Sequence, residues 1–192
     1  MQAVYEAAGG ADALLRLAGA WHTRVMSDEV VSHAFSHGFH PEHTERLAAY
    51  WAEALGGPAT YSETYGDETS VVRMHSGNGP HEEMDRRAIA CFDQALVDAG
   101  LSADERLRTV LHDYFVWATT TTMSRYHRSA DEVPDGLRIP RWSWNGLVPG
   151  DSCRACGRDR SQKARRVGGG PSLGSQVALN ATALRSRTSW PA

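Results

Sequence analysis

A chain of 192 residues with a net charge of −3, a pI near 6.3 and 41% hydrophobic residues has room for one domain of ordinary size and an appendage. No stretch approaches the ~20 apolar residues of a membrane span. The start, Met1-Gln2-Ala3-Val4-Tyr5-Glu6, lacks the basic and apolar regions of a secretory signal, so a cytoplasmic location is expected.

In chain order, Gly9-Gly10 makes a first corner. Residues 11–26 then carry Leu14, Ala18, Trp21 or His22, and Val25 at three- and four-residue spacing, the stripe of an amphipathic helix. Ser27-Asp28 can cap a short helical turn that points Val30, Val31, Ala34 and Phe35 inward. Pro41 suits the first turn of a further helix, which runs to Leu55 and buries His43, Leu47, Tyr50, Trp51 and Ala54. Gly56-Gly57-Pro58 ends that helix, because glycine accepts left-handed backbone and proline cannot continue.

Residues 59–81 are rich in Tyr, Ser, Thr, Gly and Asp without a sustained period, and read as a long functional loop. Glu82 to Leu96 is predicted helical, with Met84, Ala88, Cys91, Phe92 and Ala95 on one face. Ser102 and Glu105 form a capping box before Leu107, Val110, Leu111, Tyr114, Phe115 and Ala118. No strand pair is expected, so the fold class is all-α. Residues 133–147 read as irregular, with Trp142 and Trp144 folded back on the helices as a hydrophobic clasp.

From Val148 the sequence turns Gly-, Ser- and Arg-rich, and a disordered tail is expected. The expected organisation is a helical domain over 1–147 and a tail over 148–192. The net −3 divides into −9 for the domain and +6 for the tail. Charge alone would let such a tail touch nucleic acid or anionic lipid. It has few aromatics to stack on bases, so a tail solvated without such a partner is expected.

The polar chemistry lies in histidine and cysteine. Nine histidines include four within eleven residues, His33, His37, His40 and His43, with Glu42 and Glu45 nearby. That cluster is an alternative site for zinc or non-haem iron, although the bend at Pro41 works against convergence of four rings. His75, taken alone, reads as a surface-loop histidine. Cys153-Arg154-Ala155-Cys156 lacks the second pair of a four-cysteine zinc site and the βαβ setting of a redox motif.

The order of the corners gives His75 another meaning. Tyr5-Glu6-Ala7-Ala8-Gly9-Gly10, Ser27-Asp28-Glu29-Val30, Gly56-Gly57-Pro58 with Tyr61-Ser62-Glu63, and Arg73-Met74-His75 together resemble the group II truncated haemoglobins over about residues 3–127. The resemblance implies a two-over-two helical sandwich around haem b, with His75 as the proximal iron ligand. It implies a distal pocket lined by His22, Phe35, His43 and Leu47, with Tyr61 and Arg73 at the haem edge or propionates. Leu47, Phe35, Cys91, Phe92 and Phe115 would supply apolar walls.

One position departs from that pattern. The family places a tryptophan thirteen residues beyond the proximal histidine, where this chain has Ala88, so a roomier pocket is expected in which His22 or His43 replaces the indole N–H. The implied role is binding of dioxygen or another diatomic ligand. Peroxidase-like or nitric oxide dioxygenase turnover, His43 as acid and base, and an unidentified reductase partner extend it.

Overall fold

The computed structural model describes residues 2–149. The first helical turn, α1 (Val4–Ala7), meets α2 (Gly10–Ser27) at the Gly9-Gly10 corner. Gly9 has φ 98°, and a Cβ there would stand 3.2 Å from that of Ala13. The second corner is built against the first. The Tyr5 amide donates to Leu55 O at 3.0 Å, and a Cβ on Gly57 would stand 2.8 Å from the Tyr5 ring and from Ala52 O. Only glycine allows so close a meeting.

After α2 the Asp28 carboxylate accepts from the amides of Val30 and Val31, both at 2.9 Å, and opens a 3-10 turn over Val31–Phe35. Val31 is buried there, Phe35 is half-buried and Ala34 is exposed; a 3-10 turn does not bring all the expected apolar positions to one face. α3 (His43–Ala54) follows. Residues 59–81 are not one loop: they hold α4 (Thr60–Thr64) and α5 (Glu68–Met74). Helices of five and seven residues are too short to display a period, which is why the sequence reads as irregular.

α6 (Glu82–Asp98) and α7 (Glu105–Trp117) complete the second helical layer against α2 and α3. The α7 cap is Asp104, whose carboxylate accepts from Arg106 N at 2.9 Å and Leu107 N at 3.1 Å. The predicted cap, Ser102, lies too early, because the helix begins at Glu105. Past Trp117 the helix widens into a π-helix over Ala118–Met123, where the Thr120 hydroxyl donates to Val116 O at 2.8 Å.

The core is aromatic at its centre. Phe92 and Phe115 stack at 4.1 Å, and Trp51 meets both edge-on, as Trp21 meets Trp51 and Phe115. Leu14, Leu17, Leu96 and Leu111 fill around them, each fully buried and each worth roughly 1.5–3 kcal/mol of transfer free energy.

Residues 142–147 contain the one short strand pair of the described residues, Trp142–Ser143 (β1) with Gly146–Leu147 (β2). The clasp expected of the tryptophans is present. Trp142 is buried against Tyr114 and Trp117, and Trp144 Nε1–H donates to Gln2 O at 2.8 Å. The basic tail from residue 150 on, with Cys153 and Cys156, lies outside the described residues.

Candidate functional site

α5 is the platform of the site. Asp67 starts it, accepting from the Ser70 amide at 2.8 Å and its hydroxyl at 2.7 Å. Glu68, Thr69, Val71 and Val72 are buried and fix its face. His75 is therefore not in a loop interior but at the residue that ends this helix. Its Nδ1 lies 2.8 Å from Val71 O. A carbonyl oxygen can only accept, so Nδ1 carries the proton and Nε2 keeps a free lone pair.

The imidazole retains open surface, yet the surrounding protein lowers its pKa by shielding the charged form. The Val71 bond and Asp85 act in the opposite direction to burial, and His81 acts with it.

The chain after His75 is held in place. Ser76 Oγ–H donates to Val72 O at 2.6 Å, and the amides of Gly77 and Gly79 donate to Tyr126 O and His127 O at 3.0 and 2.9 Å. Asp85 accepts from His81 Nδ1 and from the Ser124 hydroxyl, both at 2.9 Å. The end of the π-helix thus clamps the segment leading away from His75.

A second group of rings comes from α2, the 3-10 turn and the start of α3. His22 meets Phe39 at 4.6 Å, His43 at 5.0 Å and Phe35 at 5.6 Å between ring centres. His43 also meets Phe35 at 5.4 Å and Phe39 at 5.9 Å. The Nδ1 atoms of His22 and His43 are buried and have no partner. Burial lowers the pKa of His22. It pushes His43 down to about 4, helped by the charges of His22 and His75. That influence puts His75 within electrostatic reach of this wall.

The structure thus brings together His22, Phe35 and His43, with Leu47 half-buried one turn along α3. It adds Phe39, which the sequence reading missed. An apolar residue between His37 and His40, in a stretch with no period, carries no pattern that assigns it to a wall. Tyr61 and Arg73 have other partners. Tyr61 is buried against Tyr50 at 5.2 Å and Tyr65 at 6.0 Å. The Arg73 guanidinium is exposed and donates to Asp135 at 2.9 Å and Val133 O at 3.3 Å.

His33, His37 and His40 are exposed and do not join His43, and His40 Nδ1 accepts from the Glu42 amide. Among the described residues no three His, Cys, Asp or Glu side chains converge as a metal site. This overturns the alternative based on the His33–His43 cluster; the segment spreads its rings along a bend instead of focusing them.

Ala88 is buried in a small apolar cluster with Val25 and Val31, beside Trp21, Phe35, Met84 and Cys91. Its carbonyl accepts from Trp21 Nε1–H at 3.2 Å. An indole from α2 therefore stands against the backbone of residue 88. Phe92 and Phe115 belong to the main core, whereas Cys91 lines a surface depression of about 670 Å³ with Arg24, Arg87 and Asp98. A second depression, of about 690 Å³, lies by Trp142 and Trp144. Neither includes His75, and the functional geometry is that of the histidines.

Among the described residues no helix is long and apolar enough to cross a membrane. The donor set suits haem: one oriented imidazole with a free Nε2 and, within its electrostatic reach, a group of aromatic rings and two imidazoles whose buried Nδ1 atoms lack partners.

Comparison with known proteins bears on the family of the chain. A family model for bacterial-like globins matches residues 3–119. The chain is similar to a solved haemoglobin of Chloroflexus aurantiacus, with 26% identity and a TM-score of 0.56 over 65% of this chain and 100% of that one. A haemoglobin of Thermobifida fusca is 28% identical, with a TM-score of 0.53 over 64% of this chain and 97% of that one. A group II truncated haemoglobin of Bacillus anthracis, 20% identical with a TM-score of 0.55 over 64% and 91%, shares the fold. Among curated proteins there is no match. With its two-layered helical sandwich and a family match over most of its described length, this chain belongs to the bacterial-like, truncated globins.

Proposed function

We propose that the chain is a group II-like truncated haemoglobin that binds haem b through His75 and takes up dioxygen or another diatomic ligand. The observation that carries this reading is the single hydrogen bond from His75 Nδ1–H to Val71 O. It fixes the tautomer and leaves Nε2 as the one prepared ligand atom, the arrangement in which metal-bound imidazoles donate their other N–H to a carbonyl. Haem held by His75 would supply an iron able to bind a small ligand and exchange electrons.

The remaining work belongs to side chains. His22 and His43 form the polar part of the distal wall and Phe35, Phe39 and Leu47 the apolar part. His43 is neutral across the physiological range because burial disfavours its charged form. A neutral imidazole offers one N–H to donate and one lone pair to accept. His43 can therefore hydrogen-bond a bound ligand, or hold a proton released by peroxide and return it later. This makes His43 the acid and base of a peroxidase-like or nitric oxide-detoxifying activity, supplied with electrons by an external reductase. Tyr61 and Arg73 have partners within the protein and are assigned no step.

Titrating haemin into the full-length chain tests the reading. A saturable, intense Soret band at one equivalent per chain is expected, and a spectrum identical to that of free haemin would contradict it. In the loaded protein His43→Leu is expected to slow peroxide consumption while leaving haem uptake intact. Equal turnover by the two proteins removes the acid–base role.

A further inference from the structure

At the start of α5 a carboxyl group is buried. Glu68 is 2% exposed, and its Oε2 accepts from Tyr50 O–H at 2.8 Å. Its other oxygen, Oε1, is buried without a partner. Two further side-chain atoms in this region are also buried without one: Tyr114 Oη and Trp142 Nε1. Tyr114 is linked to both of the others. The Tyr114 and Trp142 rings meet at 6.0 Å, and Glu68 acts electrostatically on Tyr114. Each unmet buried polar atom costs about 1–3 kcal/mol, so each of the three calls for a hydrogen-bonding partner.

We propose that Glu68 Oε1, Tyr114 Oη and Trp142 Nε1 enclose a binding site for internal water, which couples the protonation of Glu68 to the seating of α5. Buried water typically makes about three hydrogen bonds, and three partners are offered here. An indole N–H only donates, a phenol does both, and a protonated carboxyl donates through one oxygen while accepting at the other. Water can accept from Trp142 and from the Glu68 O–H while donating to Tyr114.

The groups facing Glu68 are Tyr50 and Glu53 from α3, Tyr61 from α4, Asp67 at its own helix start, and Tyr114 from α7. The charged ones among them, Glu53 and Asp67, are carboxylates and offer no compensation. Burial raises the pKa of Glu68 to about 8, against a lowering by the Tyr50 bond. The folded chain therefore keeps a proton that the unfolded chain releases near the ordinary carboxyl value, and the cost of seating Glu68 grows from about pH 4.5 to about pH 8. This does not depend on what His75 binds.

The test uses the full-length chain without added haemin. A high-resolution crystal structure is expected to show water within hydrogen-bond distance of all three atoms. A direct Tyr114–Glu68 contact with no water would overturn the site. Thermal midpoints of the wild type and Glu68→Gln, read from pH 5 to 8, give the second arm. The amide keeps the acceptor for Tyr50 but cannot ionise, so its midpoint should rise relative to wild type by about 5 °C or more over this range. Parallel pH profiles would overturn the coupling. Should Glu68→Gln fail to fold, the wild type decides: its carboxyl infrared band must persist at pH 7, and an ionised Glu68 there refutes the coupling.

Discussion

In one part of the candidate site the imidazole of His75 is tied through Nδ1 to a carbonyl of its own helix; in the other, His22 and His43 keep Nδ1 atoms that meet no protein partner. Both walls shield imidazole from charge, and burial lowers the pKa of all three rings. The difference lies in what is already satisfied. A ligand atom that must hold one position is prepared by fixing the rest of its ring. A wall that must answer an arriving small molecule keeps hydrogen-bonding capacity in reserve, at about 1–3 kcal/mol per unmet atom. Rigidity and reserve divide between the two walls.

The comparison breaks most visibly at the tied side. His75→Ala should weaken haem affinity by about 100-fold or more, at about 1.4 kcal/mol per decade, as measured by haem transfer to an excess of an acceptor globin. Retained affinity would move the ligand to another residue. The reserve side has a pH signature. His43 is neutral in the fold down to about pH 4, whereas the unfolded chain protonates it below about 6.5. A depressed histidine destabilises the fold as acid is added through that window. Acid titrations of wild type and His43→Leu should therefore diverge between pH 6.5 and 4 by roughly 3 kcal/mol, the wild type losing more.

A third change addresses the boundary between the two walls. Ala88→Trp places an indole where Val25, Val31 and Trp21 already close on residue 88, and should cost about 1–3 kcal/mol in chemical denaturation. Stability equal to wild type would mean that the surroundings of residue 88 have the extra room the sequence alone implies. Smallest of all is Arg73→Ala. It removes an exposed pair with Asp135 and should change stability by under about 1 kcal/mol, with haem uptake unchanged. A marked loss of haem affinity would give Arg73 the propionate contact that the family resemblance implies.

The unequal legibility of the two walls follows from the length of the signals. Long helices announce themselves: the stripe Leu14, Ala18 and Val25 and the run from Leu107 to Phe115 lie where their spacing puts them. The double glycines are legible because left-handed backbone and the approach of Tyr5 to Gly57 leave no other residue type. α5 was hidden, since seven residues make two turns and no more, and so His75 looked like part of a loop. The Val71 bond was hidden with it, because a bond four residues back exists only if that segment is helical. Phe39 and the packing of Trp21 against Ala88 depend on contacts between distant segments, which one sequence does not display.

The account stands most directly on the Nε2 atom of His75, and chemical rescue examines that atom alone. In His75→Gly, free imidazole added to haemin-loaded protein should restore the wild-type ferrous spectrum and slow haem loss, saturably and without effect on the wild type. A glycine variant whose spectrum and haem retention match wild type before any imidazole is added would contradict the assignment.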